Sequence, residues 1–165
     1  MTSKMKLRDG AVVDSSAIMS IFDKRASFQA FLQALKHTHP LYMAAPTYVE
    51  LSMVVQGRKN AAGVKPLDDL LKALGVQIVN FDLPMAKLAQ SGCAAYGKGH
   101  GPAALNMGDL FSYSLAVAKG LPLFFEGLDF FQTNVSDAML ILGHAFDAQH
   151  QPLPLDIKVT PGRRH

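Results

Sequence analysis

The chain has 165 residues, enough for one domain with its own core and too few for two comfortable ones. Hydrophobic residues make up 49% and charged residues 18%, below the roughly 25% charged of a typical soluble protein, which excludes a disordered chain and points to surface buried against a partner. A balance of 16 basic to 13 acidic residues gives a formal charge of +3, compatible with a polyanionic ligand but too mild to specify one.

The polar start, Met1 to Gly10, carries Lys4, Lys6 and Arg8 and lacks the apolar stretch of a secretory signal. Ala11-Val12-Val13 then reads as a short strand ending at Asp14, and Ala17 to Phe22 is at helical spacing. A second helix places Phe28, Phe31, Leu32 and Leu35 on one face and ends near His37-Thr38-His39-Pro40. Leu41 to Ala44 is a candidate buried strand. Pro46-Thr47 opens a helix expected to stop near Gly57, ahead of a basic linker, Arg58 to Gly63. Leu67, Leu70, Leu71 and Leu74 form the next helical stripe, Gly75 ends it, and Val76 to Val79 alternates as a strand. Leu83 to Tyr96 is helical, and a glycine-rich loop from Gly97 to Pro102 separates it from a helix running from about Asn106 to Lys119. Leu121 to Phe125 forms the next strand. Met139 to Leu142 is an edge strand or a short helix, and the proline-bearing remainder ends in Arg163-Arg164.

Strands that alternate with helices imply an α/β fold around a largely parallel sheet, with ligand sites expected beyond the C-terminal strand ends. The expected division is a polar leader over residues 1–10, one domain over 11–142 and a tail or arm over 143–165. No window offers the 18 or so apolar residues of a membrane span. The single cysteine, Cys93, excludes an internal disulfide framework and a cysteine zinc cage, fits a reducing cytoplasm, and is expected as a buried helix residue.

Four acids occupy strand or helix ends: Asp14, Glu50, Asp109 and Asp129. A carboxylate cluster without cysteine or paired histidines suits hard cations such as Mg²⁺ or Mn²⁺. Each acid also has a local explanation. Thr47 to Glu50 and Asn106 to Asp109 read as helix caps, Asp14 can start the helix after it, and Asp129 can sit in a turn.

The flanking residues distinguish these readings. Val12-Val13-Asp14-Ser15-Ser16-Ala17 resembles the opening "VVD-S/T-SA" of the PIN-domain ribonucleases, and among them the VapC toxins of bacterial toxin–antitoxin pairs. Thr47-Tyr48-Val49-Glu50 is similar to their second acidic motif. Leu105-Asn106-Met107-Gly108-Asp109-Leu110-Phe111-Ser112-Tyr113-Ser114-Leu115-Ala116 resembles "LNFGD-x-F-x-YALA", and Pro122 to Phe130 resembles "PLLFKG-x-DF". The Tyr96-Gly97-Lys98-Gly99 loop with Pro102-Ala103 is similar to the "YGKG…PA" of one VapC subgroup. The likeness runs from residue 11 to about 135. Departures are Gly127, where many members have an acid, and Thr133-Asn134, where "T-D" is common.

The resemblance implies a PIN-like three-layer sandwich over 11–142 and a Mg²⁺-dependent or Mn²⁺-dependent endoribonuclease acting on RNA, such as transfer RNA. Asp14 and Asp109 would be the principal metal ligands, completed by Glu50 and Asp129, with Ser16 orienting Asp14 by a hydrogen bond. It also implies a homodimer and a VapB-type antitoxin as partners. Lys98, His100, Arg58 and Lys59 are candidate contacts to the RNA backbone, Lys98 foremost, against solvated loop charges as the alternative. The Gly97-Lys98-Gly99 loop lacks the Lys-Ser/Thr ending of a P-loop. Competing functions are a housekeeping PIN nuclease and a non-catalytic PIN-like RNA-binding module.

Overall fold

A computed structural model describes residues 7–155, so Lys4, Lys6 and the Arg163-Arg164 end lie outside the described residues. In chain order the elements are β1 (Ala11–Val13), α1 (Ser15–Phe22), α2 (Phe28–Lys36), β2 (Leu41–Ala44) and α3 (Ala45–Lys59). After a 3₁₀ turn at Ala61–Gly63 come α4 (Val64–Ala73), β3 (Val76–Val79), α5 (Leu83–Tyr96), α6 (Met107–Lys119), β4 (Leu123–Phe124) and α7 (Ala138–Ile141). The four strands form one parallel sheet in the order β3-β2-β1-β4. The expected parallel sheet between helices is therefore present. Strand order reverses between β1 and β4, and a crevice at such a switch point is where ligands bind in open parallel sheets.

Strand β1 shows why the sheet is covered on both faces. Ala11, Val12 and Val13 are all fully buried, yet they serve two cores. Ala11 and Val13 join the cluster built with Ile18, Phe31, Leu35, Leu51 and Leu67, while Val12 joins Leu110, Tyr113, Leu115 and Phe125 on the other side. Successive strand residues point to opposite faces, so a wholly apolar strand needs helices on both. Helices α1 to α4 supply one layer and α5 with α6 the other. Gly92 permits the second layer to close, because a Cβ there would meet the Tyr113 ring.

Several local expectations change. Helix α3 begins at Ala45, with Pro46 in its first turn, where a missing N–H costs nothing. Thr47 to Glu50 is thus inside the helix and is not a capping box. The same helix runs through Gly57 to Lys59, and Asn60 ends it at φ 58°. Gly57 faces open space, so no packing or backbone demand makes it a stop. Strand β4 is shorter than Leu121 to Phe125, and Met139 to Leu142 falls in the short helix α7 and its cap. Cys93 is exposed, on the outer face of α5, and Ile78 is exposed on the edge strand β3.

Residues 143–155 fold back on α7. His144 is buried and its Nδ1–H donates to the Leu153 carbonyl at 2.7 Å. The His150 ring stacks on Phe146 at 4.1 Å, and its Nε2–H donates to Asp137, the N-cap of α7, at 3.0 Å. Among the described residues no helix is long and apolar enough to cross a membrane.

Candidate active site

Asp14 lies where β1 ends and α1 begins, and its side chain caps that helix. Oδ2 accepts the Ser16 backbone N–H at 3.0 Å and the Ser16 hydroxyl at 2.6 Å. Oδ1 accepts the Ser112 hydroxyl at 2.5 Å. Ser16 Oγ also accepts the Glu126 backbone N–H at 3.0 Å, which ties the exit of β4 to the start of α1. Capping and the geometry expected of Ser16 thus coexist at one carboxylate.

Asp109 is the third residue of α6 and half of a capping box. Its N–H donates to Asn106 Oδ1 at 2.9 Å, and its own Oδ2 accepts the Asn106 N–H at 3.0 Å. Glu50 projects from the second turn of α3, accepts a long hydrogen bond from Ser15 Oγ at 3.4 Å, and lies against the backbone of Gly108. Asp129 follows β4 in the loop from Glu126 to Phe130.

The electrostatics join the four acids. Burial, followed by the charge of Asp14, raises both Glu50 and Asp129 above the ordinary carboxylate range. Asp109 is pushed up to about 7, chiefly by burial, against the lowering effect of the Asn106 hydrogen bond and with added repulsion from Asp14, Asp129 and Glu50. Every charged neighbour acting on these three carboxyls is another carboxylate. An all-oxygen, partly desolvated, cation-deficient donor set fits a hard divalent ion, which would relieve the repulsion. Among the described residues no three His, Cys, Asp or Glu side chains converge at metal-ligand spacing. The Asn106 backbone N–H holds one Asp109 oxygen at 3.0 Å.

The basic candidates divide. Lys98 and His100 are exposed in the loop after α5, whose ends are joined where the Leu105 N–H donates to the Tyr96 carbonyl at 2.9 Å. That closure carries the loop directly to Asn106 and the N-terminus of α6. Arg58 instead pairs with Asp23 at 2.5 Å, and the Lys59 ammonium lies over the Phe22 ring at 5.8 Å. Asp23 is the C-cap of α1, the end opposite Asp14, so the structure does not bring Arg58 and Lys59 to the acids. Sequence reasoning missed Ser112, whose place in the motif is open to any residue. It also missed Glu126, which replaces the motif's lysine and pairs with Arg25 at 2.9 Å.

Comparison with known proteins adds independent findings. Residues 11–135 match the sequence model of the PIN domain. Ribonuclease VapC42 of Mycobacterium tuberculosis is 38% identical over 128 residues, covering 77% of this chain and 98% of that protein. Ribonuclease VapC30 of the same organism is 33% identical over 129 residues, covering 78% and 98%. Among solved structures, VapBC2 from Rickettsia felis bound to a DNA fragment from its promoter superposes with a TM-score of 0.62 at 16% identity, covering 77% of this chain and 95% of that one. Mycobacterium tuberculosis VapC20, described as a Sarcin-Ricin loop cleaving toxin, gives 0.61 at 11% identity, covering 77% and 97%. At these identities the structural likeness shows a shared fold.

Proposed function

The chain belongs to the PIN-domain family, and we propose that it is an endoribonuclease, the toxin of a type II toxin–antitoxin pair, which hydrolyses phosphodiester bonds in a structured RNA such as transfer RNA. The observation that supports this reading is the charge coupling of Asp14 to Glu50, Asp109 and Asp129, with Asp109 raised to about 7 and no cationic group among the charges acting on it. Sequence identity of 38% to a protein named as a ribonuclease, over nearly its whole length, supports the substrate class.

Asp14 and Asp109 would hold Mg²⁺ or Mn²⁺, with Glu50 and Asp129 completing the set directly or through water. A divalent ion bound there neutralises phosphoryl oxygens and lowers the pKa of an attacking water. Ser16 keeps the Asp14 carboxylate oriented. Lys98 holds the RNA backbone as it passes the four carboxylates, with His100 beside it. The charge-poor composition suits a second copy of the chain and a VapB-type antitoxin as partners, in the cytoplasm.

The deciding experiment compares wild type with Asp109→Asn on labelled RNA, with Mg²⁺ or with EDTA, after removal of antitoxin. Cleavage by wild type in Mg²⁺ alone is expected. Equal cleavage by both proteins, or cleavage insensitive to EDTA, would defeat the metal mechanism, and cleavage by neither would favour an RNA-binding module.

A further inference from the structure

We infer that Ser112 is a positioning residue for the metal centre, an inference that rests on the metal-dependent reading above. It fixes the Asp14 carboxylate from the side opposite Ser16 and thereby sets the affinity for the divalent ion.

Three observations carry this. The Ser112 hydroxyl donates to Asp14 Oδ1 at 2.5 Å, joining α6 to the end of β1. Ser112 is fully buried and Asp14 is 4% exposed, so solvent does not replace the bond if it is lost. Ser112 is also three residues beyond Asp109 and shares its face of α6, so one helical turn presents a carboxylate and a hydroxyl to the same acidic site. With Ser16 N and Oγ on Oδ2 and Ser112 Oγ on Oδ1, the Asp14 carboxylate cannot rotate without breaking bonds to both α1 and α6.

The proton count fixes the direction of a longer relay. A serine hydroxyl has one proton and two acceptor lone pairs. Because Ser112 spends its proton on Asp14, the contact between Thr47 Oγ1 and Ser112 Oγ at 3.4 Å has Thr47 as its donor. Thr47 is 1% exposed, in the first turn of α3, the helix that also carries Glu50. The chain Thr47, Ser112, Asp14 therefore links α3 and α6, which bear Glu50 and Asp109, to the junction of β1 and α1 that bears Asp14. Ser114, two residues on, is equally buried but bonds only to the Leu110 and Phe111 carbonyls of its own helix. It is the natural control.

The test measures Mn²⁺ binding to the RNA-free protein by calorimetry, and the Mg²⁺ dependence of RNA cleavage, in wild type, Ser112→Ala, Ser114→Ala and Thr47→Val. Removing a partner that orients a metal-binding group typically weakens affinity by about 10- to 100-fold. Ser112→Ala should weaken Mn²⁺ binding by about tenfold and shift half-maximal Mg²⁺ upward by the same factor, while kcat at saturating Mg²⁺ stays within about threefold of wild type. Thr47→Val, which keeps side-chain volume, should move both in the same direction by less, and Ser114→Ala should move neither.

Unchanged Mn²⁺ affinity in Ser112→Ala overturns the inference. Equal losses in Ser112→Ala and Ser114→Ala also overturn it, since they would report a general loosening of α6. Absence of Mn²⁺ binding to wild type itself would remove the metal-dependent reading and this inference together, an outcome distinct from failure of Ser112 alone.

Discussion

The carboxylate of Glu50 lies so close to the backbone of Gly108 that a side chain at residue 108 would occupy its place. The glycine is the second residue of α6, one before Asp109, so the absence of a Cβ lets an acid of α3 approach the α6 N-terminus. Gly108→Ala should leave the fold intact, because alanine is favoured in helices by about 1 kcal/mol and only the flexible end of Glu50 must move. RNA cleavage should nonetheless fall by at least about tenfold, as expected of a misplaced catalytic group. Parallel melting curves and cleavage rates check this; loss of both together would mean that the glycine serves the fold.

In the metal-free protein, Asp109 makes stability depend on pH. Its folded carboxyl titrates at about 7 against an ordinary value of 3.8, so the folded chain binds that proton more tightly than the unfolded chain. The stabilisation is complete below the ordinary value and is lost as pH rises to about 7; Glu50 and Asp129 shift in the same direction. Asp109→Asn should be more stable than wild type in EDTA at pH 8, by on the order of 1–2 kcal/mol after allowance for solvent screening, with the gap closing toward pH 4. Urea unfolding at the two pH values measures it. Adding Mg²⁺ at pH 8 should raise the Tm of wild type and leave that of Asp109→Asn unchanged.

The Glu126 side chain is largely buried, holding Arg25 through Oε1 at 2.9 Å and the Ser27 hydroxyl through Oε2. Glu126→Ala removes the acceptor that joins the two, leaving Arg25 its 3.5 Å contact with Asp23 and Ser27 its bond with Ser20, and should cost about 1–3 kcal/mol in denaturant unfolding. Glu126→Lys, which restores the residue of the family motif, should be worse here because it faces Arg25. A neutral result for the lysine variant would contradict the assignment of this pair as a structural latch.

Lys98 and Arg58 should separate in kinetics. Lys98→Ala is expected to raise the KM for RNA several-fold and to reduce the salt dependence of binding by about one counterion. Arg58→Ala should leave KM unchanged and lower stability by less than about 1 kcal/mol, as befits an exposed pair with Asp23. An Arg58 effect on KM equal to that of Lys98 would place the RNA path across the far end of α1.

Local chemistry made much of this protein legible from its residues. Asp14 caps α1 because an aspartate between an apolar strand and a helix can accept the free N–H groups of the first turn, and Asn106 with Asp109 forms the capping box its spacing encodes. The alternation of apolar strands with helical stripes likewise fixes a parallel sheet covered on both faces. Helix α3 starts before the Pro46-Thr47 signal because proline is tolerated within the first helical turn and does not mark a unique first residue. Cys93 is exposed against expectation because the apolar pattern of α5 is weak, with only Met85 and Gly92 buried along it.

By itself, then, the sequence determined the order of strands and helices, the four acids and the caps at Asp14 and Asp109, since each depends on residues within a turn of one another. Only the tertiary structure decided that Arg58 belongs to Asp23, 35 residues away, and that Ser112 holds Asp14 across 98 residues. Such pairs are created by helices packing on a sheet, and a side chain's partner across that packing is set by rotamer and burial rather than by the residues beside it in the chain.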